Sequence, residues 1–149
     1  MLEVFRENSR LVTCTKNKHK GVHKAEYLYS KSDNFKRYLS SARLLTENEN
    51  IFVISALHKL VPLYKEIECY DYALSSKTPE EVAAWGKAVA DQLMCLYDFS
   101  NTRFVILADD DYSSALQPFL PNTDLPLNGI GCGHEGYSQL DLYISNLTK

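Results

Sequence analysis

Glycine and proline are scarce in this chain, six and five among 149 residues. That scarcity excludes collagen-like and low-complexity architectures and leaves no flexible linker between domains. Long hydrophobic runs are also missing: none approaches the roughly 20 residues of a membrane-spanning helix. The first residues, Met1-Leu-Glu-Val-Phe-Arg-Glu-Asn8, carry acids and lack the apolar core of a secretory signal, so a cytoplasmic location is expected. Neither charge is in large excess, with 16 basic and 19 acidic side chains and a net charge of −3. The overall field therefore does not attract nucleic acid, and any such binding has to come from a local patch. Four cysteines (Cys14, Cys69, Cys95, Cys132) lie far apart without a Cys-x-x-Cys pair and read as reduced thiols. Cys14, His58, Cys132 and His134 have zinc-binding chemistry but no zinc-ligand spacing, so neither a metal nor a cofactor is expected.

What is present is an alternation of strand and helix patterns across one domain, residues 1–149. Strands are predicted at 10–14, 51–56 and 103–108, with a fourth through Thr123–Leu127. The run Arg103-Phe-Val-Ile-Leu-Ala108 is almost uniformly apolar, which suits a central parallel strand covered on both faces. Ser32 or Asp33 caps a helix whose apolar residues Phe35, Leu39, Ala42 and Leu45 recur at helical spacing. Thr78-Pro-Glu-Glu81 combines a capping residue, a proline at the first helical position and an acid three residues after the cap. Behind it Val82, Trp85, Val89, Leu93 and Leu96 form one stripe. A short helix from Asp109 to Leu120 and a last one bearing Tyr137, Leu140, Ile144 and Leu147 complete the pattern. The sum predicts an α/β fold, a three-layer sandwich around a central, mostly parallel sheet.

Residues able to do chemistry concentrate where predicted strands end, and in open α/β sheets ligands sit beyond the carboxyl ends of the strands. After the first strand comes Cys14-Thr-Lys-Asn-Lys-His-Lys-Gly-Val-His-Lys24, in which Cys14, Thr15, Lys16 and Lys18 offer hydrogen bonds and point charges to a phosphate. After the second come Ser55, His58, Glu68, Tyr70 and Asp71. His58 titrates near neutrality and suits proton transfer, the two acids suit a developing positive charge or an attacking water, and Tyr70 suits a hydrogen bond or a stacked base. After the third, Asp109-Asp-Asp-Tyr112 suits a metal, ribose hydroxyls or the cap of the next helix. Asn128-Gly-Ile-Gly-Cys-Gly133 brings Gly129 ahead of a helix, as a tight turn or an approach to phosphate.

Five segments occur in order: Cys14-Thr15-Lys16; Ala25-Glu26-x-Leu28-Tyr29; Ile54-Ser55-Ala56-x-His58-x-Leu60-Val61; Ile67-Glu68-x-Tyr70-Asp71; and Leu107-Ala108 followed by Tyr112. This order resembles a bacterial and phage family known as a domain of unknown function. It is similar to domains appended to archaeal archaeosine-synthesis enzymes and, more distantly, to the peroxide-stress YaaA proteins. The resemblance covers about residues 10–133, with Lys59 where the pattern has glycine and Cys69 where it has proline. It implies a uracil-DNA glycosylase-like core and DNA binding, although the water-activating motifs of true uracil-DNA glycosylases are not matched. Two functions follow as expectations. One is an enzyme acting at an N-glycosidic bond of a nucleoside, nucleotide or modified base: Lys16 and Lys18 hold phosphate, Tyr29 or Tyr70 stacks on the base, and Glu68 or Asp71 stabilises the sugar cation or positions water. The alternative is a DNA- or nucleotide-binding module that uses the same groove without turnover.

Overall fold

Side chains that alternate across an extended strand, apolar at every step, have to be covered on both faces. In the computed structural model, which describes residues 7–14, 18–108, 110–126 and 142, this is what the central strands do. The chain order is β1 (Glu7–Thr13), β2 (Val22–Lys24), α1 (Ala25–Leu28), α2 (Asp33–Leu45), β3 (Ile51–Ser55), β4 (Lys59–Pro62), β5 (Glu66–Glu68), α3 (Pro79–Met94), β6 (Thr102–Leu107), α4 (Asp110–Leu116) and β7 (Thr123–Asp124). The main sheet has the order β4-β3-β1-β6-β7. β1 runs parallel to both neighbours, with Leu11 opposite Phe52 on one side and opposite Ile106 on the other. β7 continues the parallel set, while β4 turns back antiparallel at the edge.

Each face of this sheet has its own core. Val12, Val53, Val105 and Leu107 pack with Leu28 and Tyr29 of the α1 region and with Phe35, Tyr38, Leu39 and Ala42 of α2. Leu11, Phe52, Ile54, Phe104 and Ile106 pack with Trp85, Val89 and Leu93 of α3 and with Ala115 and Leu116 of α4. Helices therefore flank a central sheet on both sides, the mixed α/β layering expected from the sequence. Each fully buried residue of this kind contributes roughly 1.5–3 kcal/mol relative to exposure, so loss of either helical layer would expose a whole face.

The helices begin where the caps predict. Ser32 Oγ accepts the Phe35 amide hydrogen at 3.3 Å, and Thr78 with Glu81 forms a reciprocal capping box ahead of α3. α3 ends at Met94, which leaves Leu96 of the predicted stripe exposed. The short helix after β6 is α4 followed by a 3-10 turn over Gln117–Phe119. β3 covers 51–55 of the predicted 51–56, and the chain then reverses through Ala56–His58 and returns as β4. The lysine-rich segment after β1 contains β2, which pairs antiparallel with β5 as a separate two-stranded ribbon. The helix expected around Tyr137–Leu147 and the glycine segment 128–133 lie outside the described residues, apart from Leu142. Among the described residues no helix is long and apolar enough to cross a membrane.

Candidate functional site

The strand order places a topological switch point between β1 and β6. From β1 the chain moves towards β3, whereas from β6 it moves towards β7, so the loops leaving these adjacent strands diverge at their carboxyl ends and open a crevice. Cys14 directly follows β1, held to β3 by its amide donating to the Ile54 carbonyl at 3.1 Å. Its Sγ lies 3.2 Å from the hydroxyl of Tyr112, which α4 supplies just after β6. A side-chain contact thus bridges the two diverging loops.

Next to that bridge is a connected set of hydroxyls. Ser55 is the last residue of β3 and fully buried. Its Oγ accepts the His58 amide hydrogen at 3.0 Å and lies 2.6 Å from the Tyr70 hydroxyl. Tyr70 in turn is 2.7 Å from the hydroxyl of Tyr29, a fully buried residue just after α1. Tyr70 is brought there by the two-stranded ribbon, whose ladder is extended by the Cys69 amide donating to the Gly21 carbonyl at 3.0 Å. The His58 ring meets Tyr70 edge-on at 5.0 Å, and the Lys18 ammonium stands 4.6 Å from the centre of the Tyr70 ring. Lys18 itself is buried, 8% exposed, so this charge belongs to the site and not to a solvated loop.

Burial sets the protonation of the cluster. It is the first cause of the raised pKa of Tyr29, with the neighbouring Tyr70 next, and of the raised pKa of Tyr112, with Cys14 next. Tyr70 is pushed up to about 12 by burial and then by Cys14, while hydrogen bonds with Ser55 and Tyr29 pull the other way. Burial, followed by the nearby Lys65 charge, holds His58 below its ordinary value. At neutral pH the site therefore presents three neutral phenols and a neutral imidazole.

Cys14, Lys18, Tyr29, Ser55, His58, Tyr70 and Tyr112 are thus gathered at one sheet edge. Glu68 and Asp71 flank Tyr70 in sequence but are exposed; Glu68 sits on the outer face of the ribbon opposite Val22. Thr15, Lys16, Asp109 and Gly129 lie outside the described residues. Sequence reasoning left two contributors unassigned. Trp85 donates its indole N–H to the Ser55 carbonyl at 2.9 Å, fixing the end of β3 from the opposite face. The signal was a tryptophan within an apolar stripe, since a buried indole N–H needs an acceptor. Lys59 adopts φ of 64°, the left-handed conformation for which the glycine of the related pattern is suited. Two clefts border the strap that follows Tyr70. One, of about 470 Å³, lies between Leu74, Lys77, Val82, Asp111 and Ser114; the other, of about 490 Å³, lies between Lys59, Tyr72, Lys77, Glu81 and Trp85. Both volumes suit a small organic ligand. Among the described residues no group of three or more His, Cys, Asp or Glu side chains is placed to hold a metal ion.

Residues 10–145 match the family of unknown function DUF6884, and the chain belongs to that family. No curated protein and no solved structure matches it.

Proposed function

We propose that this member of DUF6884 binds a nucleotide or nucleic acid at the carboxyl edge of its sheet and acts at an N-glycosidic bond of a nucleoside, nucleotide or modified base. The observation that carries this reading is the cluster at the switch point, where a buried ammonium stands 4.6 Å from the Tyr70 ring and hydroxyls from three separate connections converge. An ammonium beside neutral phenols offers charge to a phosphate and hydrogen bonds and ring faces to a base. The finer fold assignment, uracil-DNA glycosylase-like and related to YaaA and to archaeosine accessory domains, belongs to the same proposal. It is supported by four parallel strands held between two helical layers. In this reading Glu68 or Asp71, next to Tyr70 in sequence, stabilises positive charge on the sugar.

The test is incubation of the protein with nucleosides, nucleotides and single-stranded DNA, with mass detection of released base. Glu68→Gln and Asp71→Asn keep shape and remove charge; loss of the carboxylate in use slows release by ~100-fold or more. Full release rates in both variants exclude a carboxylate-assisted mechanism. The exposure of both acids supports a second reading, a module that binds without turnover. That reading takes over when nucleotides bind and no base is released.

A further inference from the structure

The Tyr70 oxygen lies between two hydroxyls, and the surroundings of those hydroxyls fix the direction of their protons. Tyr29 is fully buried, its hydroxyl 2.7 Å from that of Tyr70 and with Ser55 as a second hydrogen-bonding neighbour. Ser55 acts towards Tyr29 as a donor, so the acceptor left for the buried Tyr29 proton is Tyr70. Ser55 Oγ already accepts the His58 amide hydrogen at 3.0 Å, and its own hydrogen has the Tyr70 oxygen 2.6 Å away. Two donors on one phenol oxygen turn that phenol's own hydrogen away from both. The third hydrogen-bonding neighbour of the Tyr70 hydroxyl is the Cys14 thiol, and sulfur is a weak acceptor that a ligand nitrogen or oxygen displaces easily.

We infer that Tyr70 is the proton donor of this site, positioned by Tyr29 and Ser55, and that its acceptor is a ring nitrogen or carbonyl oxygen of a nucleobase leaving its sugar. The inference rests on the N-glycosidic reading above. In the step, the bond between sugar carbon and base nitrogen breaks, its electron pair goes to the base, and the base takes the Tyr70 proton. Water adds its oxygen to the sugar carbon, and the proton it sheds returns to the Tyr70 oxygen. Burial opposes the transient phenolate, and the two hydroxyl donors, with the Lys18 side chain over the ring, offset part of that cost. The other titratable groups facing it are His58, Cys14 and, beyond Cys14, Tyr112. Protonated at neutral pH, Tyr70 meets the first requirement of a donor.

Two measurements on the full chain test this. First, 3,5-difluorotyrosine at position 70, whose fluorines bring the phenol into an accessible pH range, is titrated by fluorine NMR. Removing a donor to the phenolate, by Tyr29→Phe or by Ser55→Ala, is expected to raise the midpoint; an unchanged or lower midpoint in both overturns the positioning. Second, Tyr70→Phe, with folding checked by circular dichroism, is expected to keep ligand binding and to lose base release by ~100-fold or more. Undiminished release by Tyr70→Phe overturns the proton-donor role and leaves the N-glycosidic reading intact. No release by the wild-type protein from any substrate overturns that reading and the catalytic use of Tyr70 with it.

Discussion

At Gly86, α3 passes directly against the Ala115 backbone of α4. A methyl group built there would stand 2.1 Å from the Ala115 carbonyl oxygen, a backbone atom that cannot swing aside. Gly86→Ala is therefore expected to destabilise the fold by about 1–3 kcal/mol through overpacking, outweighing the alanine's better helix propensity of about 1 kcal/mol. Urea unfolding measures it, and a change near zero would mean that the two helices part freely. His58 tests the site at the same scale. Its folded pKa is depressed below the ordinary 6.5, so the unfolded chain binds the proton more tightly. Its contribution to stability is complete above the unfolded pKa and is lost as pH falls through the folded one. Urea midpoints of the wild type and of His58→Gln, compared at about pH 7.5 and about pH 5.5, should show the smaller acid-side loss in the variant. Equal losses would mean that the ring is as free to charge in the fold as outside it.

The elements differ in how much each announces itself. α2 and α3 were legible because their start signals are local: Ser32 and Thr78 satisfy amides three residues away. Thr78→Ala is expected to destabilise by about 1 kcal/mol, since it removes the hydroxyl that accepts the Glu81 amide hydrogen and leaves only the bond from the backbone amide of residue 78 to Glu81. β3 and β6 were legible because every side chain in them except the half-buried Arg103 is buried on one face or the other. β2 and β5 were not, because each is three residues long and they pair across more than forty residues of chain. A three-residue strand has too short a period to reveal which face is outward, so Glu68 did not announce its exposure. The turn joining β3 to β4 was hidden differently, behind a lysine where a glycine would have marked it. Lys59 at φ of 64° carries strain of roughly 1–2 kcal/mol that glycine lacks, partly offset by glycine's greater freedom in the unfolded chain. Lys59→Gly is expected to raise the urea midpoint, and a fall would show that the lysine side chain contributes more than its backbone loses.

At the scale of the whole molecule, the gathering of candidate residues at the carboxyl edge was legible and their wiring was not. Polar residues at strand ends pointed to the carboxyl edge, but Tyr29, Ser55 and Tyr70 reach one another through three different connections whose geometry no local pattern encodes. Charge is distributed in the same uneven way. Residues 14–31 hold five of the sixteen basic side chains and one of the nineteen acids in a chain of net charge −3. Within that segment Lys18 is buried under the site, while Lys20 and Lys24 are exposed. If a nucleic acid strand reaches the cluster across this segment, the exposed lysines serve its backbone and Lys18 serves the group held at Tyr70. Replacing Lys20 and Lys24 together with Lys16 by alanine should then weaken single-stranded oligonucleotide binding and flatten its salt dependence, by about 0.7 in the log–log slope for each phosphate no longer neutralised. Binding of a mononucleotide, which needs no track, should change far less. Lys18→Ala reverses the pattern, weakening the mononucleotide as much as the strand. Anisotropy titrations at two salt concentrations separate these outcomes. An unchanged slope in the triple variant would assign the basic segment to solvent and overturn its role as a track for the strand.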